Sequence, residues 1–208
     1  MRLGRRDVLA ALVALAIASV CVRLGVWQLD RLGERRARNA ILAARLALPP
    51  LTVARGTSPD SARQRRLVAR GVYVYADELI GPGRSFDGTP GVALVTPLRL
   101  ADGATVYVDR GWVPSPDARH VDLARYRESD SATVEGVGVV PPRGYPALPF
   151  ILQQTGTAAA QGLPRRWPQP SLDDGPHLSY AIQWFSFAVI VVVGTVALLR
   201  KTTVLRPS

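Results

Sequence analysis

The chain offers little imidazole or thiol chemistry: two histidines, His120 and His177, and one cysteine, Cys21. A zinc site draws three or four ligands from His, Cys and carboxylates at clustered spacing, and no such cluster occurs. Nor is there a Cys-x-x-Cys-His run for covalent haem attachment, a Gly-x-Ser-x-Gly elbow or a glycine-rich phosphate loop. A hydrolase built from His120 and one of the serines is the enzyme that composition leaves open, and nothing favours it. No enzyme is expected.

His177 is singled out by position. It opens the stretch GPHLSYAIQWF, residues 175–185, and Tyr180, Trp184 and Phe187 follow it at i+3, i+7 and i+10, on one side of a helix. Two readings are open. Neutral imidazole is an axial ligand of haem iron, and aromatic neighbours suit a flat macrocycle. Equally, Tyr and Trp form belts at membrane interfaces without binding anything. Gln183, inside the same run, reads as a hydrogen-bonding group for a partner helix.

A second group is VDRGWVP, residues 108–114, where Arg110 and Trp112 flank Gly111. At a strand end such a trio binds an anion or a partner. The plainer alternative is an arginine in a salt bridge and a tryptophan in the core.

The elements that position these residues follow from the segregation of apolarity and charge. Hydrophobic residues make up 48% of a chain that carries a net charge of +10. Leu178 to Leu199 contains no Asp, Glu, Lys or Arg and is followed at once by Arg200 and Lys201. As a helix it spans about 33 Å, enough for a hydrocarbon core of about 30 Å. The other apolar run, Val8 to Val22, extends to Trp27 if Arg23 snorkels toward the headgroups. Behind Arg5 and Arg6 it also resembles a cleaved signal, with Cys21 inviting a lipoprotein reading, but Val20 is bulky for the residue before a lipoprotein cleavage site. An uncleaved anchor is expected.

Arg2, Arg5 and Arg6 before the first span, and Arg200, Lys201 and Arg206 after the second, favour both termini in the cytoplasm. Arg31, Arg35, Arg36 and Arg38 argue the other way, but a long intervening segment translocates largely regardless of charge. A basic domain on that side meets lipid headgroups, and no nucleic acid partner is expected. With one cysteine there is no intramolecular disulfide, so burial alone must hold the domain together.

Between the spans, residues 33–48 read as a helix that continues or follows the first, ended by Pro49 and Pro50. Residues 55–66 read as a polar connector. From Leu67 the pattern changes to short runs rich in Val, Tyr and Thr at 67–75, 91–100, 104–113 and 132–141, with Asp102-Gly103 as a hairpin turn. Residues 142–176 read as mostly irregular, with a further strand at Phe150 to Gln153. The expected organisation is a cytoplasmic N-terminus (1–7), a transmembrane helix (8–27), helix and linker (28–66), an extracytoplasmic β-domain with an irregular C-terminal part (67–176), a second transmembrane helix (178–199) and a cytoplasmic tail (200–208). The fold class is membrane α+β, two transmembrane helices flanking a small antiparallel β-domain that is barrel-like or sandwich-like.

In this order the motifs LGVWQLDRLGERR, GVYVYADELIGPGR, DGTPGVALVTPLRLADGATVYVDRGWVP and HLSYAIQWFSFA resemble the surfeit locus protein 1 family, membrane-bound assembly factors of cytochrome c oxidase. The resemblance covers about residues 8–201. It implies an uncleaved first helix, a bacterial cytoplasmic membrane location with both termini inside, and a role assisting haem A delivery to subunit I or stabilisation of that subunit. The implied partners are cytochrome c oxidase subunit I, the haem A synthesis machinery and membrane lipid. The family's candidate haem ligand matches His177, its Gly-x-Trp-Gln stretch matches Gly25, Trp27 and Gln28 with Arg31 following, and its Arg-Gly-Trp stretch matches Arg110, Gly111 and Trp112. On that reading His177 coordinates haem A iron, Trp27, Tyr180 and Trp184 shelter the ring, and Arg31 or Arg110 receives propionates, since guanidinium matches carboxylate geometry. A haem-independent scaffold for an oxidase assembly intermediate is the rival, and an external enzyme on membrane anchors a third reading. The sequence departs from the family pattern at Gly175-Pro176, where relatives often carry asparagines, and at Asp109, where Asn is frequent.

Overall fold

A computed structural model describes residues 4–141, 145, 148–156 and 162–204. Residues up to 41, together with those from 172 on, form one compact unit, and 42–171 form another. Helix α1 is Arg5–Ala47, 43 residues without a break, so the first span and the helix expected at 33–48 are one element. Asp7 lies in its first turn, where a carboxylate favours the helix N-terminus, and accepts from the Gly4 N–H at 3.0 Å. Pro49 and Pro50 follow its end. The helix beginning at His177, which we number α3, is His177–Val204.

In the first unit, burial on α1 falls on Ala18, Cys21, Gly25, Gln28 and Leu32, in alternating steps of three and four. On α3, Ala181 and Ala188 are buried, and His177, Trp184, Val191 and Thr195 are half-buried, in the same alternation. That 3.5-residue period is the seam of a paired helix. The two helices run antiparallel, since Gln28 meets His177 at one end while Arg6 and Leu198 line one groove at the other. Small side chains occupy the seam, and Leu9, Leu12, Leu15, Ile190, Val193 and Leu198 point outward. Water-soluble helix pairs do the reverse, because only burial of large apolar groups stabilises them in water. Both helices are long and apolar enough to cross a membrane.

The second unit is a β-barrel. Its elements are β1 (Leu51–Thr52), α2 (Pro59–Ala62), β2 (Arg66–Tyr73), β3 (Leu79–Phe86), β4 (Thr89–Leu100), β5 (Thr105–Pro114), β6 (Ser131–Val139) and β7 (Ile151–Gln154). Strands pair in the order β1-β2-β6-β7-β5-β4-β3, and a further β2–β4 pairing closes a five-strand ring. This settles the open choice between barrel and sandwich. The expectation of a wholly antiparallel domain is corrected: β5 and β7 pair in parallel, Val108 with Leu152 and Asp109 with Gln153. The reason is parity, because a closed ring of five strands cannot alternate direction all the way round. The two-residue β1 also pairs in parallel, on β2.

Strand β3 is not evident in the sequence because Gly81, Pro82 and Gly83 interrupt its pattern; the register shifts between Ile80 and Gly83, and it lies at a sheet edge, where a proline without N–H is tolerated. The Asp102-Gly103 turn joins β4 to β5 as expected, with Gly103 at φ +78 and the Ala104 N–H donating to Asp102 Oδ1 at 2.9 Å. Leu67, Ala69, Leu98, Val108, Val134 and Leu152 fill the barrel. Of the segment read as irregular, 142–176, residues 142–144, 146–147 and 157–161 lie outside the described residues. The rest carries β7 and isolated bridges from Arg165 to Trp112 and from Trp167 to Thr155.

Candidate functional site

His177 is the first residue of α3, preceded by Pro176, whose carbonyl accepts from the Ser179 hydroxyl and the Tyr180 N–H. A strap from α1 fixes the approach to it. Asn39 Nδ2 donates to the carbonyls of Leu172 and Asp173 at 2.9 Å, Arg35 donates to the Asp173 carbonyl at 3.1 Å, and Arg36 pairs with Asp174 at 2.8 Å. The charged pairs are exposed and contribute little to stability. Their effect is positional, because bonds to three successive residues leave the chain entering α3 little freedom.

Across the seam, His177 Nδ1 lies 2.9 Å from Oε1 of Gln28, a side chain whose residue is only 9% exposed. A carboxamide oxygen only accepts, so Nδ1 carries the hydrogen, and in the neutral ring the lone pair is then on Nε2. Among the described residues nothing else hydrogen-bonds to the imidazole. A neutral imidazole with one nitrogen tied and the other open is the form that binds a metal. Among the same residues no group of three His, Cys, Asp or Glu side chains is placed to hold an ion. The site therefore offers one ligand, which suits an iron whose other positions come from a macrocycle.

Two aromatic rings pack around the seam below the histidine. A Cβ on Gly25 would stand 2.7 Å from the Phe185 ring, so a larger residue there requires the ring to shift. Trp184 packs on Ala18, Cys21 and Ala188 and meets Phe187 edge-on, with ring centroids 5.9 Å apart. Tyr180 and Trp27, 45% and 43% exposed, stand outside the seam. The Arg31 guanidinium lies 5.6 Å from the Trp27 ring and pairs with Glu34 at 2.8 Å. Of the residues singled out in the sequence, the structure thus brings His177 and Trp184 to the seam and leaves Tyr180, Trp27 and Arg31 on the outer surface of the same unit.

Arg110 is placed otherwise. It lies in the barrel, fully buried, with Nη1 2.7 Å from Glu78, Nε and Nη2 at 3.2 and 3.0 Å from Glu128, and Nη2 also bonded to the Tyr126 carbonyl. Tyr73 and Tyr75 turn their faces to it at 5.5 and 5.1 Å. Arg166 joins the cluster, donating to the Arg110 carbonyl and to Glu128, both at 2.5 Å. The propionate-receiving role set out for Arg110 is corrected: its donors are taken and no face of the group meets solvent. The plainer reading of VDRGWVP describes it, and Trp112 agrees, buried with its indole N–H donating to the Arg84 carbonyl at 3.0 Å.

Beside this cluster Asp109 is fully buried, accepting from Trp167 Nε1 at 2.6 Å and from the Gly111 N–H at 3.2 Å through Oδ1. The Tyr145 hydroxyl faces the same carboxyl. Burial pushes the Asp109 carboxyl up to about 6, against the pull of those donors and of Arg84.

An antiparallel pair of apolar helices, with a closed five-strand barrel inserted between them in the chain and one open imidazole nitrogen on the pair, defines a two-helix carrier of a small β-domain. The chain belongs to the SURF1 family, whose profile matches residues 15–189. An uncharacterised SURF1-like protein of Mycobacterium tuberculosis is 27% identical over 224 residues, covering 88% of this chain and 80% of that protein. A SURF1-like protein of Monosiga brevicollis is 28% identical over 234 residues, covering 90% and 86%. One from Rickettsia felis is 30% identical over 103 residues, 49% of this chain.

Proposed function

We propose that this protein is an assembly factor for cytochrome c oxidase in a bacterial cytoplasmic membrane. The two long helices cross the bilayer, both termini face the cytoplasm, and the barrel stands outside. It acts without catalysis of its own, receiving haem A from the machinery that makes it and assisting its delivery to subunit I. The observation that carries this reading is the His177–Gln28 bond, which leaves Nε2 open on a side chain otherwise held in place.

Haem A, when bound, would bring an iron in need of an axial nitrogen. His177 would supply it through Nε2, Gln28 would hold the imidazole, Trp27 and Tyr180 would offer apolar faces from the outer surface, and Arg31 would meet a propionate. A single protein ligand on exposed helices holds its cargo weakly enough to hand it on. The test is co-expression with a haem A synthesis pathway, purification and an optical spectrum. Haem in the wild type and its loss in His177→Ala is the expected result. Haem-free wild type, or equal haem in the variant, overturns delivery and leaves a haem-independent scaffold for an oxidase assembly intermediate.

A further inference from the structure

The end of the helix pair remote from His177 carries a groove of its own. Leu9, Val13 and Ile17 of α1 and Ile190, Gly194 and Leu198 of α3 flank an open groove of about 630 Å³. One other lining residue, Thr195, turns its hydroxyl away, donating to the Val191 carbonyl at 2.7 Å. The wall is apolar along its length, and a Cβ built on Gly194 meets nothing within 4 Å, so the floor is open space. At one end stands Arg6, the charged member of the lining. Arg5 precedes it, Arg200 and Lys201 follow just beyond Leu198, and none of the four has an ion-pair partner among the described residues.

Length and charge together identify the occupant. From Arg6 to Ile17 the helix rises about 17 Å, close to half of a hydrocarbon core of about 30 Å. The groove is one leaflet deep, with cations at the headgroup end. A partner helix would fit that charge poorly, because helices entering the cytoplasmic leaflet carry Lys and Arg at that end themselves. We propose that this groove is a lipid site: it holds one acyl chain of an anionic phospholipid, whose phosphate pairs with Arg6. The site requires the helices to lie in a membrane and is independent of haem.

The test uses the full chain in mixed micelles with phosphatidylcholine and phosphatidylglycerol at equal amounts, with retained lipid read by native mass spectrometry. Wild type is expected to retain phosphatidylglycerol about tenfold over phosphatidylcholine, a difference of about 1.4 kcal/mol. Arg6→Gln should erase most of that preference, while Arg5→Gln should leave most of it. Gly194→Phe starts from a position where a Cβ meets no other atom and carries a ring into the groove, and should displace both lipids with helix content unchanged by circular dichroism. Equal retention of the two lipids by wild type overturns the proposal. Equal loss in Arg5→Gln and Arg6→Gln overturns it in favour of diffuse attraction to a basic helix end. Full retention in a folded Gly194→Phe variant, or protection of the groove by a second copy of the chain in place of lipid, also overturns it.

Discussion

His177 and Gln28 are 149 residues apart in the chain and joined by a 2.9 Å hydrogen bond. The pair links the two helices and fixes which imidazole nitrogen is open. If haem A is the cargo, Gln28→Leu should weaken its binding by about 10- to 100-fold, the usual consequence of losing a partner behind a metal ligand. Gln28→Glu keeps an acceptor on Nδ1 and should retain binding. Haem titration followed by absorbance distinguishes these outcomes, and equal affinity in Gln28→Leu would remove the residue from the site.

Gly25 lies directly against the Phe185 ring. Gly25→Val forces ring and helix apart and should destabilise the pair by about 1–3 kcal/mol, the range for overfilling a packed contact. Thermal unfolding in detergent reads this. The double variant Gly25→Val, Phe185→Ala should recover much of the loss, whereas no recovery would mean that the contact is not the cause.

Arg110→Met leaves Glu78, whose side chain is 1% exposed, without its cation and removes one of the two that Glu128 binds. A buried charge stripped of its partner costs about 3–5 kcal/mol. Urea unfolding of the barrel should show that loss. Arg110→Lys should recover little, because one ammonium cannot span two carboxylates and a carbonyl. The opposite result, a neutral Arg110→Met, would show that the network contributes no stability.

Asp109 gives the barrel a pH dependence. Folded, it keeps its proton up to about pH 6, whereas the ordinary value is 3.8. The folded state therefore binds the extra proton between those values, and stability falls as pH rises from about 4 to about 6. At pH 7 the loss is about 3 kcal/mol. Asp109→Asn preserves an oxygen for Trp167 and Gly111 and should abolish the slope, matching wild type near pH 4 and exceeding it at pH 7. Urea midpoints at the two pH values test this, and parallel profiles for the two proteins would contradict it.

The helices and four long strands were legible because their signals are local: unbroken apolarity, β-branched runs, Asp-Gly at a turn. Ring closure was not, since it depends on pairing β2 with β4 and β7 with both β5 and β6; the short strand at 150–153 was legible, but its partners were not. On α3, reading 177, 180, 184 and 187 as one side was nearly right. The seam follows 177, 181, 184 and 188 instead, so Tyr180 and Phe187 stand one step round the helix, on the outside. A signal for this was present in the small residues Ala18, Cys21, Gly25, Ala181 and Ala188 at spacings of three and four, or multiples of seven. Arg110 misled because a strand-end arginine looks alike whether it awaits an anion or already holds two. Only the fold brings Glu78 and Glu128 to it.

Strand β7 has a consequence for the order in which the molecule comes into being. Strands β5 and β6 share no ladder, and β7 is the piece that joins them. Until residue 154 has left the ribosome, two hydrogen-bonding edges stay bare, and a chain stalled before that point would carry them as sites for pairing with other chains. The last four residues to enter the ring act as its keystone, and they arrive only shortly before the second helix begins.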